Sequence, residues 1–235
     1  MSTFHYHPAI LTRYPTIVGG VILAEGTTNG PTPDGLCAAF QAEQRATLER
    51  IGDTPLSQLP SIAAWRRAFS SFGVMPTQYR CAAEALLRRL TKKGDIPSIN
   101  ALVDLGNLVS IRYGLPVAIF DTRMIQGVVS VRFADGNERF TTLGETTEEH
   151  PEPGEVIFAD EAGGVLARRW CWRQSEQSAA RVDTTSAIIT VEAHHEGGCH
   201  DIAAALNDLQ LLLATYTGGS FKTCLLDVST PAIAS

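Results

Sequence analysis

INALVDLGNLVSIRYGLPVAIFD, residues 99–121, changes its hydrophobic period part-way through. Up to Tyr113 the apolar residues recur at helical spacing, and Gly114 and Pro116 then stop the helix. From Pro116 onward the pattern alternates. PVAIF, VVSVRF, ERFTTL, EVIFAD, VLARRWCW and SAIITVEA read as six short strands, separated by turns such as Asp135-Gly136-Asn137 and Pro153-Gly154. Three further helices are predicted before this point: from Asp34, as N-cap, to about Arg50, then over 57–73 and over 77–94. On the last of these, Ala82, Ala85, Leu86 and Leu90 are expected to line one apolar face. TIVGGVILAEG (16–26) reads as a buried strand, and a helix at 200–215 and a strand at 221–227 close the chain.

Helices followed by mostly antiparallel strands predict an α+β fold with helices packed on a mostly antiparallel sheet. With no repeat, low-complexity segment or clear linker, residues 1–235 are expected to form a single compound domain: helix-rich over 34–113, strand-rich over 115–193, with the final helix and strand over 200–227.

The helix at 98–113 has an unusual polar face. Asn100, Asp104, Asn107 and Ser110 fall within roughly 120° on a helical wheel, and Leu102, Leu105, Leu108 and Val109 point the other way. Solvated helix faces normally carry Lys, Glu and Arg. Short hydrogen-bonding residues suit two other tasks, tying down neighbouring loops or bordering a polar pocket.

The chain carries a net charge of −6, which argues against nucleic-acid binding, but the charge is segregated. Between Trp65 and Gly94, Arg66, Arg67, Arg80, Arg88, Arg89, Lys92 and Lys93 face the single acid Glu84, so this segment is +6 and the remainder −12. A basic face on an acidic protein is therefore available, although the same residues also suit an ordinary solvated helix surface. The five cysteines are scattered, with no CxxC pair, and are expected to be reduced. Neither a signal-like leader nor a run of about 18 apolar residues occurs, so a cytoplasmic location without membrane association is expected.

Asn100-x-x-Val103-Asp104-x-x-Asn107, then Pro116-x-x-x-Phe120-Asp121, VSVRFADGNERFTTLG, EVIFAD and a strand ending Val191-Glu192-Ala193 resemble, in order and spacing, the tRNA-editing domain of the phenylalanyl-tRNA synthetase β subunit. The preceding W-R-x-A-F, G-x-x-P and E-A-L-L-R-R resemble stand-alone relatives of that domain. Together these motifs cover about 130 residues.

The resemblance implies a trans-acting protein that binds the acceptor end of an aminoacyl-tRNA and hydrolyses a mischarged ester. An aminoacyl ester is already activated, so a positioned water and a stabilised oxyanion suffice, and neither cofactor nor metal is expected. It also implies that Asn107 and Thr185 act on the ester, with Thr184 as the neighbouring alternative. Substrate would be held by Asn100, Asp104, Ser110, Trp172, Arg173 and Gln174, and tRNA by Arg66, Arg67, Arg88, Arg89, Lys92 and Lys93.

Three positions depart from the family pattern. Gly106 stands where it has threonine, Ala118 where it has histidine, and RRWCWRQS (168–175) where it has a glycine-rich loop followed by an acid that reads the hydroxyl of tyrosine. Trp172 and Arg173 are expected to narrow the pocket, so that a smaller or non-standard amino acid replaces tyrosine.

Other constellations compete with this reading. His194-His195-x-x-x-Cys199-His200 has metal-ligand residue types in no common zinc spacing. Arg168, Arg169, Trp170, Trp172 and Arg173 suit base stacking, or equally a strand with both tryptophans on one face. Cys81 has no nearby histidine to activate it. A non-catalytic RNA- or amino-acid-binding module that kept the fold, or a hydrolase of small esters or amides, are the alternative functions.

Overall fold

The computed structural model describes residues 4–234, so the expected domain limits at 1 and 235 lie outside the described residues. In chain order the elements are β1 (Phe4–Tyr6), α1 (Pro8–Arg13), β2 (Val18–Glu25), α2 (Asp34–Ile51), α3 (Pro60–Ser71), α4 (Ala82–Lys93) and α5 (Ala101–Tyr113). There follow β3 (Val117–Asp121), β4 (Val129–Phe133), β5 (Phe140–Thr141), β6 (Glu148–Glu149), β7 (Val156–Ala159), β8 (Val165–Arg168), β9 (Arg173–Gln174), β10 (Ser186–Ala193), α6 (Gly198–Tyr216), β11 (Ser220–Leu226) and β12 (Ala232–Ile233). The fold is α+β, as the pattern predicts. Among the described residues, no helix is long and apolar enough to cross a membrane.

A four-stranded antiparallel sheet has the order β11-β2-β10-β3, and a six-stranded sheet the order β12-β1-β4-β7-β8-β9, in which only β1 and β4 run parallel. Both faces of β10 are covered. On one, α6 packs on β2 and β10, and Gly20 of β2 leaves room for Leu206. On the other, Phe120 of β3 meets Phe158 of β7 with ring centroids 5.3 Å apart, and Phe158 in turn meets Phe4 of β1. One contiguous apolar core runs from Phe4 to Ile233.

The expected helix boundaries need correction. Asp34 is the first residue inside α2, with Pro33 at the N-cap. The helix expected over 57–73 is a short 3₁₀ turn at Leu56–Gln58 followed by α3. The one expected over 77–94 starts only at Ala82, and its buried face is Ala83, Glu84, Leu87 and Leu90. Ala85 is exposed. The face is rotated because Glu84 turns inward to meet Arg66 at 2.6 Å and Arg80 at 3.7 Å.

The largest departure is at 165–172. The expected strand ends at Arg168, and Arg169 and Trp170 take left-handed backbone angles, φ 44° and 62°. Residues 169–172 form a loop that returns the chain as β9, pairing Arg168 with Arg173 and Ala167 with Gln174. Trp170 is therefore buried and Trp172 only half-buried, rather than side by side on one face.

Candidate functional site: a small cavity between the sheets

The polar residues of α5 divide into two groups. Asn100 is the N-cap: its side chain accepts from the Val103 amide at 3.0 Å and from Asn29, and donates to the Ala180 carbonyl. Asp104 is fully buried and accepts from Thr32 at 2.7 Å, the Ile99 amide at 2.9 Å and the Ser98 hydroxyl. Ser110 donates to the Leu115 carbonyl at 2.7 Å. These three short side chains hold the loops at both ends of the helix. Asn107 is half-buried and lies outside the cavity described next.

Gly106 explains one family departure. A Cβ there would sit 2.9 Å from Ile119 Cδ1 and 3.4 Å from Val117 Cγ1, because α5 lies close on β3. Restoring the threonine in Gly106→Thr is expected to destabilise the fold by about 1–3 kcal/mol through overpacking. Urea unfolding checks this; a variant as stable as the parent would mean that Ile119 moves aside freely.

A cavity of about 70 Å³ lies between the sheets. Pro116, Val117 and Ala118 form one wall, the loop from Trp170 to Gln174 another, Ala82 of α4 the rim, and Thr190 and Glu192 of β10 the polar lining. Of the residues expected to hold substrate, Trp172, Arg173 and Gln174 come together here. The Gln174 amide is already engaged, donating to the Ile119 carbonyl at 2.7 Å and the Ser178 carbonyl at 2.8 Å. Thr185 is exposed, about 17 Å along the strand from Thr190 at ~3.3 Å per residue. Thr184 is buried and donates to Asp121.

The loop that closes the cavity is held under strain. Non-glycine residues in left-handed conformations cost about 1–2 kcal/mol each. Here the Arg169 amide donates to Glu155 Oε1 at 2.8 Å, the Trp170 amide to the Val156 carbonyl at 2.6 Å, and the Cys171 carbonyl accepts from the Ala82 amide at 2.8 Å. Outside, the Arg169 guanidinium stacks 4.0 Å over Tyr79 and 4.6 Å over Trp172, whose ring also carries Arg173 at 4.5 Å.

Glu192 is not among the site residues that the sequence singles out, yet it is buried and lines this cavity. Its Oε1 accepts from the Tyr6 hydroxyl at 2.7 Å and from the Trp170 indole at 3.1 Å. Burial pushes its carboxyl up to about 7, against the pull of those two donors. Tyr6 reaches it only because the facing residue of β2 is Gly19, where a Cβ would fall 2.2 Å from the hydroxyl. The available sequence signal is an acid near the end of an otherwise apolar strand.

The histidine cluster is dispersed. His194 is enclosed by Trp65, Trp170 and Tyr14, with ring centroids 4.6, 4.8 and 5.9 Å away, and burial, reinforced by His195, lowers it to about 3. His195 pairs with Asp201 at 2.8 Å, while Cys199 is exposed. His200 is exposed. Among the described residues, no three His, Cys, Asp or Glu side chains converge to hold a metal.

Arg66, Arg88 and Lys92 line a groove of about 370 Å³ between α4 and the 51–57 loop, together with Asp53 and Glu84. Arg67, Arg89 and Lys93 are exposed beside it, with Arg89 3.8 Å from Asp95. Along α4, Arg88 and Lys92 lie about 9–15 Å from Ala82 at the cavity rim.

Two packed sheets bordering a small, mostly apolar pocket beside a strained loop define an α+β domain with a candidate site between its layers. The chain belongs to the B3/4 domain family, whose model matches residues 64–207. It is 29% identical over 129 residues to the phenylalanine–tRNA ligase β subunit of Neisseria meningitidis, covering 55% of this chain and 16% of that one. Against the same subunit of Chromobacterium violaceum it is 33% identical over 87 residues, covering 35% and 11%. The chain thus spans less than a fifth of the length of these relatives. An N-terminal fragment of the phenylalanyl-tRNA synthetase β subunit from Pyrococcus horikoshii is similar in structure at TM-score 0.47 and 15% identity, covering 94% of this chain and 50% of the fragment.

Proposed function

We propose that this protein acts in trans on aminoacyl-tRNA, hydrolysing the ester of a small, mischarged amino acid. The observation that carries this reading is the size of the cavity. At about 70 Å³ it is under half the roughly 150 Å³ of a cavity that takes a benzene ring, too little for a phenol ring. It lies between Ala118 and the 168–175 segment, the two places where the family pattern puts pocket residues and where this chain replaces histidine and glycine. The acceptor strand would run along α4, its phosphates against Arg88 and Lys92 and an unstacked base on the Tyr79–Arg169–Trp172 surface. Asn107 and Thr185, which the family resemblance makes the ester-handling residues, stand apart from the cavity, so the groups that line it carry the chemistry in this proposal.

Charging tRNA with a panel of amino acids and measuring ester release tests it. Small or non-standard amino acids are expected to leave at least about tenfold faster than tyrosine; preferential release of tyrosine from phenylalanine tRNA would overturn the reading. Arg88→Ala with Lys92→Ala should weaken tRNA binding and reduce its log–log salt slope by about two, one for each phosphate no longer neutralised. An unchanged slope would place the tRNA elsewhere.

One observation favours a second reading. With Gln174 tied to two backbone carbonyls, the remaining pocket suits a binding module without catalysis. Salt-sensitive tRNA binding without release of any ester would establish that module.

A further inference from the structure

Four helix ends meet around a cavity of about 420 Å³ that the deacylase reading does not use. The C-terminal turns of α2 and α5 and the N-terminal turns of α3 and α6 border it, so helix dipoles of both signs end at one space. Leu87 of α4 lines it, about 8 Å along that helix from Ala82 at the rim of the smaller cavity. We propose that this larger cavity binds a free aliphatic α-amino acid as the zwitterion.

His195 defines the ammonium end. Its side chain is 8% exposed and lines the cavity, Nε2 lies 2.8 Å from Asp201 Oδ2, and Nδ1 has no partner among the described residues. Asp201 accepts, so Nε2 carries the hydrogen and Nδ1 keeps a lone pair. A buried acceptor left unpaired is costly, and the cavity is the space from which a donor can come. Further acceptors line the same cavity. They are Asp201, Glu196 and the Arg112 carbonyl, which receives no bond among the described residues because the residue four places on is Pro116.

The carboxylate end is defined by α3. Pro60 opens this 12-residue helix without an amide hydrogen, Leu59 supplies no side-chain cap, and the Ser61 amide has no acceptor among the described residues. Gly114, at φ 64°, sits so close that a Cβ there would fall 2.9 Å from the Ser61 hydroxyl, which brings the acceptor end of α5 against the donor end of α3. Arg112 is spent on Glu43 and Asp208, at 2.6 and 2.8 Å. Arg50 is half exposed, with Glu43 at 3.8 Å as its one ion-pair partner among the described residues. A 2.8 Å bond to the Ile111 carbonyl steadies its guanidinium, which is left to pair with a carboxylate. Ile51, Leu59, Pro60 and Leu87 give the cavity an apolar wall suited to an aliphatic side chain.

Isothermal titration of the full chain with leucine, leucinamide and N-acetylleucine tests each end separately. Leucine is expected to bind at least about tenfold more tightly than leucinamide, which lacks the carboxylate, and than N-acetylleucine, which lacks the ammonium. Arg50→Ala should weaken leucine at least about tenfold and leave leucinamide unchanged. His195→Phe keeps a ring but removes the lone pair, so it should weaken leucine and leucinamide alike and leave N-acetylleucine unchanged. Near-ultraviolet circular dichroism of each variant separates loss of the site from unfolding. Equal binding of the three ligands would reduce the cavity to an apolar patch, and tighter binding of inorganic phosphate than of leucine would make it a plain anion site. Either result, or no binding of leucine at millimolar concentration, overturns the proposal. None of these outcomes depends on ester release, so the deacylase reading stands or falls separately.

Discussion

At pH 8 the Glu192→Gln variant is expected to gain about 3 kcal/mol of stability over the parent, compared with the same difference at pH 4. In the folded chain burial raises the Glu192 carboxyl from 4.5 to about 7. Between those values the folded state keeps a proton that the unfolded state has lost. Stability therefore falls as pH rises from 4.5 to 7, by about 1.4 kcal/mol per pH unit, and the full penalty persists above pH 7. Glutamine carries no such penalty.

His194 supplies the opposite slope. Burial lowers it from 6.5 to about 3, so the unfolded state gains a proton first as pH falls, and stability drops from pH 6.5 downward at a similar rate. Between pH 4.5 and 6.5 the two slopes cancel in the parent. In Glu192→Gln only the histidine slope remains, and stability should climb with pH across that window. Denaturant unfolding of both proteins at about pH 4, 6 and 8 measures the difference. A gap that stays constant with pH would show that Glu192 ionises in the folded chain as it does in water.

The parts of the fold that are legible in the sequence are those with a long local pattern. SAIITVEA is β10 to the residue, and the change of period at Pro116 marks the passage from α5 to β3. Elements that depend on distant partners leave no such trace. β1 and β12 are three and two residues long and pair with each other from opposite ends of the chain. The break after Arg168 carries no signal either, since arginine and tryptophan occupy backbone angles that usually call for glycine. At the candidate site, the short polar side chains of α5 signal close contacts correctly, but the contacts are with loops. The family pattern points to the Trp172–Gln174 segment and to Ala118, whereas Glu192 enters it only as part of a motif. Its role depends on Tyr6 and Trp170, which are remote in sequence.

The strained loop gives the other large effect. Glu155→Ala is expected to cost about 3–5 kcal/mol and to lower the melting temperature by on the order of 10 °C. Glu155 receives two bonds from the Arg168 guanidinium, at 3.0 and 2.9 Å, in a pair whose side chains are 3% and 5% exposed. Removing the acid leaves a buried cation whose one remaining ion-pair partner among the described residues is the part-exposed Glu149, at 2.8 Å. It also removes the acceptor of the Arg169 amide, one of the bonds that keep Arg169 and Trp170 left-handed. Two consequences follow from the one change, and they can be separated. Glu155→Leu combined with Arg168→Met removes the uncompensated charge and should recover most of the stability. It does not restore the acceptor for the Arg169 amide, so in that double variant the 169–172 loop should still exchange amide hydrogens faster than in the parent. Full recovery of both stability and protection would mean that the loop's shape is set by the burial of Trp170 alone, and a loss below about 1 kcal/mol in Glu155→Ala would mean that water reaches Arg168 readily.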